Sequence, residues 1–214
     1  MIYFIYHKNK MVEVINKRIK DFSKTADCIQ TILIFLIALL VPTFLGQLIK
    51  EFFGAGSVIT QNSQLIVGSV VNTALIVTAI NIKGWKKIAG IITMPSISTI
   101  LSGYVFKSAS PYMVYMIPAI WLGNFALVYS YKLLMLAKEK NYFLAGIVGV
   151  ITKVIIIASG FMILKAFNVF PAKLVNTLQI AMTTTQAITA LIGVIVASGI
   201  YGLEKKSIKD KAKI

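Results

Sequence analysis

The chain has 214 residues, of which 57% are hydrophobic and 14% charged, and its formal net charge is +15. One cysteine, Cys28, and one histidine, His7, exclude an internal disulfide and the usual cysteine and histidine metal clusters. The basic residues do not alternate with aromatic residues as in single-strand nucleic-acid binders, so we expect no nucleic-acid partner.

The apolar residues form blocks of about 20 residues, the length that a helix needs to cross the hydrocarbon core of a bilayer. The blocks are continuous, and only helices and closed barrels satisfy their backbone groups in lipid. We therefore expect an all-α integral membrane protein of the cell membrane, with one transmembrane domain at residues 26–203 and a basic tail at 204–214. The six predicted spans cover residues 26–49, 63–82, 88–106, 112–136, 142–167 and 184–203.

The segment before the first span, residues 1–25, is predicted to contain a basic amphipathic helix. Val12, Ile15 and Ile19 recur at helical spacing, while Glu13 and Lys17 lie on the other side. Two interpretations remain open: the helix lies on the cytoplasmic membrane surface, or the segment is a solvated tail that sets the orientation. Only six apolar residues precede the first charges, too few for a signal peptide, so we expect no cleavage.

The connections between spans differ in composition. The loop at 50–62 contains Gly54 and Gly56 and is predicted to be external and able to move. The turn after the second span is basic and carries Trp85, which suits the membrane interface. After the fifth span, Pro171 is followed by apolar residues at helical spacing, which predicts a short external helix.

The distribution of basic residues predicts the orientation. Six spans place both termini on one side of the membrane. The termini and the turns after the second and fourth spans carry 17 basic residues, whereas the other loops carry four. Because cytoplasmic loops are enriched in lysine and arginine, we expect both termini to be cytoplasmic.

Lys153 belongs to neither side. It lies eleven residues into the fifth span, roughly 16 Å along the helix and thus near the bilayer midplane. An ionisable group at that depth is costly unless it faces a cavity or a partner, and no acidic residue lies deep in any span. Lys153 therefore either meets the polar or anionic part of a ligand or is bonded to backbone carbonyls and hydroxyls of neighbouring helices.

Three amides accompany this lysine. Asn72 and Asn124 lie near mid-depth, and Gln186 opens the sixth span at the outer side. A buried amide in lipid often serves only as an interhelical hydrogen bond. Together with Lys153, however, these side chains would line a polar cavity reaching inward from the outer face, with Trp121 as an apolar wall. The predicted substrate contacts are Asn72, Trp121, Asn124, Lys153 and Gln186.

Small residues predict where helices pack closely. They include Gly68 in the second span, Gly149 in the fifth, and Thr189, Gly193 and Ala197 at four-residue spacing in the sixth.

Enzyme motifs are missing from the sequence. It contains no zinc motif, no Ser/His/Asp set, no paired intramembrane carboxylates and no phosphate-binding glycine loop. We therefore expect no enzyme activity, no cofactor and no ATP hydrolysis by this chain alone, so active transport would need a partner.

Four stretches resemble the substrate-binding S-components of energy-coupling factor (ECF) transporters in order and spacing, and the six predicted spans and chain length agree. The stretches are GSVVNTALIVTA at 68–79, GIITMPSISTILSG at 90–103, MIPAIWLGN at 116–124 and TTTQAITALIG at 183–193. The resemblance covers roughly residues 26–203.

The resemblance implies a subunit that captures a vitamin or related micronutrient at the outer face. It would associate with a transmembrane coupling subunit and cytoplasmic ATPase subunits, and residues 54–62 would correspond to the family's gate. The chain departs from the family in the first span, where members carry paired alanines for docking and this chain has Ala26, Asp27 and Cys28. Two other functions stay open: a non-transporting membrane scaffold and a stand-alone secondary transporter.

Overall fold

The computed structural model describes residues 11–19 and 23–211, with residues 205–211 described by backbone alone. Every regular element in these ranges is a helix, which confirms the predicted all-α class. The α-helices are α1 (residues 11–18), α2 (Lys24–Leu40), α3 (Gly46–Phe53), α4 (Val58–Gln61), α5 (Ser63–Asn81), α6 (Trp85–Ser102), α7 (Ile117–Ser130), α8 (Tyr142–Ala166), α9 (Ala172–Met182) and α10 (Thr184–Lys211).

Three tighter or wider helical segments join these elements. A π-helical turn at Val41–Leu45 connects α2 to α3 and contains Pro42 near its start. A 3₁₀ helix at Lys107–Met116 leads into α7, and a second π-helical segment at Tyr131–Ala137 extends it. Because these segments continue the helices they join, the chain forms longer helical rods than the α-helices alone.

Five helical stretches of the described chain are long and apolar enough to cross a membrane, which is compatible with a multi-pass membrane protein. The predicted third span is helical as α6 but does not belong to this set. Lys86, Lys87 and several hydroxyl side chains lower its mean hydropathy. The five stretches are Lys24–Phe53, Ser63–Asn81, Lys107–Ala137, Tyr142–Ala166 and Ala172–Glu204.

Polar caps and glycines set several helix ends. The Asn141 side chain accepts a hydrogen bond from the Phe143 amide and caps the start of α8. At the end of α6, Gly103 takes the left-handed conformation with φ of 68°, which a residue without a Cβ adopts at little cost. Asn141 therefore marks where α8 begins, and Gly103 marks where α6 ends.

Glycines let the helices pack closely. A Cβ on Gly193 of α10 would lie 2.7 Å from Cβ of Asn72 on α5. A Cβ on Gly123 of α7 would lie 2.7 Å from Cγ1 of Ile157 on α8. Both distances are far below van der Waals contact, so these two helix pairs depend on glycine at the crossing, as expected for membrane helices.

Helix α1 packs against one end of the bundle. Ile15 and Ile19 are buried with Leu136 in a small apolar cluster, and Arg18 pairs with Glu139, just after the second π-helical segment. The apolar side of this helix is thus covered by protein, a placement that neither of the two sequence-based interpretations includes. Residues 1–10 and 20–22 of the predicted N-terminal segment lie outside the described residues.

The last helix does not end where the predicted basic tail begins, at residue 204. Helix α10 continues from the sixth predicted span to Lys211, so the backbone of residues 204–211 is helical. Residues 212–214 of that tail lie outside the described part.

Candidate functional site

A cavity of about 70 Å³ lies inside the bundle, between α5, α6, α7, α8, α10 and the 3₁₀ segment. Its walls combine apolar side chains such as Val71, Met113 and Ile120 with a set of polar ones. The polar lining residues are Gln64, Asn72, Ser96, Thr99, Asn124, Lys153 and Gln186. Four of the five predicted contact residues therefore meet at one cavity, although they come from four different helices.

Lys153 lies at the inner end of this cavity. Its side chain is 2% exposed, and it lies roughly 16 Å along α8 from Tyr142. The ammonium donates a hydrogen bond of 2.5 Å to Oδ1 of Asn72. An ammonium group has three donors, and this hydrogen bond uses one of them.

Asn72 continues the hydrogen-bonded chain to a third helix. Its amide nitrogen donates to Oγ1 of Thr189 at 3.1 Å, and that hydroxyl donates to the Gln186 carbonyl at 3.2 Å. The three side chains therefore link α8, α5 and α10 in series. Sequence analysis placed Thr189 only among small packing residues, because its spacing carries no sign of this hydrogen bond.

Asn124 holds a separate contact on the other side of the cavity. It is 3% exposed, and its amide nitrogen lies 3.5 Å from the carbonyl oxygen of Ile92 on α6. This contact joins α7 to α6, as expected if Asn124 forms an interhelical hydrogen bond. Its side chain also lines the cavity, so Asn124 combines a structural position with access to the interior.

Ser96 was missed by the sequence analysis. It is 6% exposed, lines the cavity, and its hydroxyl has no hydrogen-bond partner among the described residues. Buried hydroxyls normally find a partner, so this one is an exception that needs a reason. The only signal in the sequence is its position directly after Pro95, a proline inside a helix.

Two glutamines lie at the far end of the cavity. Gln64 lies near the start of α5 and Gln186 near the start of α10, and both are partly exposed. Gln64 donates to the Ala181 carbonyl at 3.4 Å. The cavity therefore extends from mid-helix at Lys153 toward the bundle end opposite α1.

Trp121 is the one predicted contact that the structure does not bring to this cavity. Successive residues of a helix are about 100° apart, so the face that presents Ile120 and Asn124 turns Trp121 to one side. Ile120 supplies the apolar wall instead. The indole nitrogen of Trp121 is buried without a partner among the described residues.

The residues that line the cavity carry a net positive charge. Its described lining residues include Lys153 and no aspartate or glutamate. The partly exposed acids Asp27 and Glu204 instead make contacts at the other end of the bundle, with Lys87 and Asn81. A ligand group that accepts hydrogen bonds or carries negative charge fits this balance best.

A second buried lysine provides a comparison. Lys132 is 2% exposed and donates to the Ile82 carbonyl at 2.8 Å, near the covering helix α1. Lys132 is one of the 17 basic residues that the sequence assigns to the termini and to the turns after the second and fourth spans, yet its side chain is buried. Lys132 shows that this fold can hold a lysine with a backbone carbonyl, away from the larger cavity.

Comparison with known proteins finds no matching family model, no matching curated protein and no matching solved structure. The function has therefore to be inferred from the residues and their geometry.

Proposed function

We propose that this protein is a substrate-binding membrane subunit of the ECF type, which takes up a vitamin or related micronutrient from the outer face. Uptake would be driven by ATP through a transmembrane coupling subunit and cytoplasmic ATPase subunits. The observation that carries this proposal is the meeting of Asn72, Asn124, Lys153 and Gln186 at one cavity. Hydrogen bonds that only hold helices together need polar residues in pairs. They do not require four helices to present polar residues to one cavity.

The proposal includes α6 as a sixth membrane span. With 18 residues, α6 is about 27 Å long, close to the hydrocarbon thickness. It runs parallel to α2: Lys87 pairs with Asp27 near the starts of both helices, and Ser98 bonds to the Leu39 carbonyl further along. Because α6 extends beside α2 over this distance, it reaches the same depth.

The proposal also places both termini in the cytoplasm. The basic turn before α6 and the start of α2 are at the same end of the bundle, as the Lys87 contact with Asp27 requires. The same end carries Glu204 of α10, which accepts from Asn81 at 3.1 Å. Since the positive-inside rule assigns this lysine-rich end to the cytoplasm, the cavity extends toward the outer face.

The cavity volume limits what fits without rearrangement. Sites for drug-sized ligands measure about 300–1,000 Å³, several times more than the 70 Å³ found here. A vitamin-sized ligand would therefore have to widen the cavity. The segment around Gly54 and Gly56, whose added Cβ atoms would meet nothing within 4 Å, has room to move in such an opening.

A ligand-dependent thermal shift tests the proposal. The purified protein in detergent, without ATP, would be screened against vitamins and nucleobase-like compounds, and we expect saturable stabilisation by at least one of them. Lys153→Met should lose affinity at least about tenfold while it stays folded, because a hydrogen bond to a charged group contributes about 1.5–3 kcal/mol.

Lys132→Met is the matched control. It also removes a buried lysine, but one bonded to the Ile82 carbonyl away from the larger cavity. It should leave affinity unchanged. A complete screen without any shift would contradict the proposal.

A membrane scaffold is the second candidate function. The observation in its favour is that Lys153, Asn72 and Thr189 already satisfy one another across three helices. A scaffold with Lys153→Met should keep its assembly and stability, and no compound should stabilise the wild-type protein. Ligand binding that Lys153→Met weakens would exclude this function.

A further inference from the structure

We propose that Ser96 is a further ligand-binding residue, and that the ligand combines an anionic group for Lys153 with a separate hydrogen-bonding group for Ser96. This inference rests on the proposed function, because it assumes that the cavity takes a ligand. It also narrows the substrate to compounds with two polar ends and an apolar body.

Hydroxyl side chains inside a helix usually find a partner in the backbone of the preceding turn. In this chain Thr73, Thr78 and Ser130 each donate to the carbonyl four residues earlier. This back-bonding is what serine and threonine normally do inside a helix. Ser96 does not follow this pattern, although it lies within α6 and is almost fully buried.

The carbonyl that would be the usual partner of the Ser96 hydroxyl has another contact. The carbonyl four residues before Ser96 belongs to Ile92, which lies 3.5 Å from the amide nitrogen of Asn124. Ser96 is also one of the residues that line the cavity. A hydroxyl in the cavity wall that has no hydrogen-bond partner in the described chain is available to a molecule that enters the cavity.

Leaving the Ser96 hydroxyl without a partner costs stability. A buried hydroxyl without a partner costs about 1–3 kcal/mol. Alanine at position 96 would avoid this cost and also has a higher helix propensity. Serine therefore makes the ligand-free bundle less stable than alanine would, which is typical of a binding residue and not of a packing residue.

The remaining lining of the cavity describes the ligand. Lys153 keeps two donors beyond its bond to Asn72, and no described lining residue carries negative charge. Val71, Met113 and Ile120 supply apolar walls between the polar groups. The complementary molecule is a compact ring or short apolar body with a carboxylate or phosphate and a second acceptor.

The experiment has a ligand-free part and a ligand part. In the ligand-free part, thermal unfolding compares Ser96→Ala with Ser98→Ala on the same helix. The Ser98 hydroxyl bonds to the Leu39 carbonyl and lies 2.7 Å from Oγ1 of Thr43, so its loss should lower the melting temperature. Ser96→Ala should leave the melting temperature unchanged or raise it. A decrease as large as that of Ser98→Ala would overturn the inference.

In the ligand part, the probes are benzoate, the three pyridinecarboxylate isomers and pyridine-3-carboxamide. We expect one pyridinecarboxylate to bind more tightly than benzoate, because its ring nitrogen accepts from Ser96. Ser96→Ala should reduce this affinity about five- to tenfold, to the level of benzoate, and leave benzoate binding unchanged. The carboxamide should bind more weakly, since it has no charge to pair with Lys153.

The outcomes separate this inference from the function on which it rests. If the wild-type protein binds the pyridinecarboxylates and Ser96→Ala binds them equally well, Ser96 is not a contact, and the proposed function stands. If none of these probes binds while a vitamin does, the inferred ligand class is wrong. If neither probes nor vitamins bind, the proposed function fails as well.

Discussion

Replacing Asn72 by alanine should destabilise the protein mainly through what it does to Lys153. Asn72 bonds to both Lys153 and Thr189, so the substitution removes two buried hydrogen bonds and leaves the lysine without its described partner. A hydrogen bond to a charged group contributes about 1.5–3 kcal/mol, and a neutral one between membrane helices averages about 0.6 kcal/mol. We therefore expect Asn72→Ala to lower the free energy of unfolding by about 2–4 kcal/mol.

A double-mutant cycle isolates the contribution of the lysine. Lys153→Met alone should be neutral or stabilising, since replacing a buried charge by an apolar side chain of similar length removes its desolvation cost. In the background of Lys153→Met, Asn72→Ala should cost only about 1 kcal/mol, because no charge is left unpaired. The expected coupling is therefore about 1–3 kcal/mol.

Reversible unfolding in mixed micelles, followed by circular dichroism, measures all four proteins. The cycle needs the wild type, Asn72→Ala, Lys153→Met and the double variant. Additive effects within about 0.5 kcal/mol would refute the reasoning, because they would mean that Asn72 does not stabilise the buried ammonium. Partial rescue by Lys153→Met would support it.

Three further predictions concern helix packing, the covering helix and the cavity wall. Gly193→Ala should lower the melting temperature, because its added Cβ would lie 2.7 Å from Cβ of Asn72. Gly199→Ala is the control and should not lower it, since an added Cβ there meets nothing within 4 Å. Equal melting temperatures of the two variants would contradict this prediction. Ile15→Asp should detach α1 from the bundle, because it places a charge at a position that is only 4% exposed. The backbone amides of residues 11–18 should then exchange hydrogen as fast as those of a helix that packs against nothing. Trp121→Phe should leave the affinity for any identified ligand within about twofold of wild type, because Trp121 does not line the cavity and residues outside a binding site contribute little to affinity. A larger loss of affinity, measured by titration, would place Trp121 at the site.

The depth of the polar residues was predictable because helix geometry converts sequence position into distance. Counting along the fifth apolar block placed Lys153 near mid-helix, and the structure buries it there within α8. The same counting placed Asn72 and Asn124 at matching depth, and the cavity includes all three. These positions follow from a rise of about 1.5 Å per residue and need no knowledge of neighbouring helices.

The partner of each polar side chain was not predictable in the same way. Lys153 could have met a ligand, a carbonyl or a hydroxyl, and it met the Asn72 amide because α7 and α10 each pack against both α8 and α5. Trp121 was expected at the cavity wall, but the rotation of α7 placed Ile120 there. A helix can turn about its axis without any change in its sequence, so only contacts with its neighbours decide which side chains face inward.

The sequence by itself determined that the chain forms apolar helices and that Lys153, Asn72 and Asn124 lie deep within them, because block length and helical rise depend on local chemistry alone. Tertiary structure alone decided that α1 covers one bundle end and that the Asn72 amide receives the ammonium. It also decided that Ser96 belongs to the cavity wall and that its hydroxyl has no described partner. These features depend on rotation and approach of separate helices, which are determined by packing between distant parts of the chain.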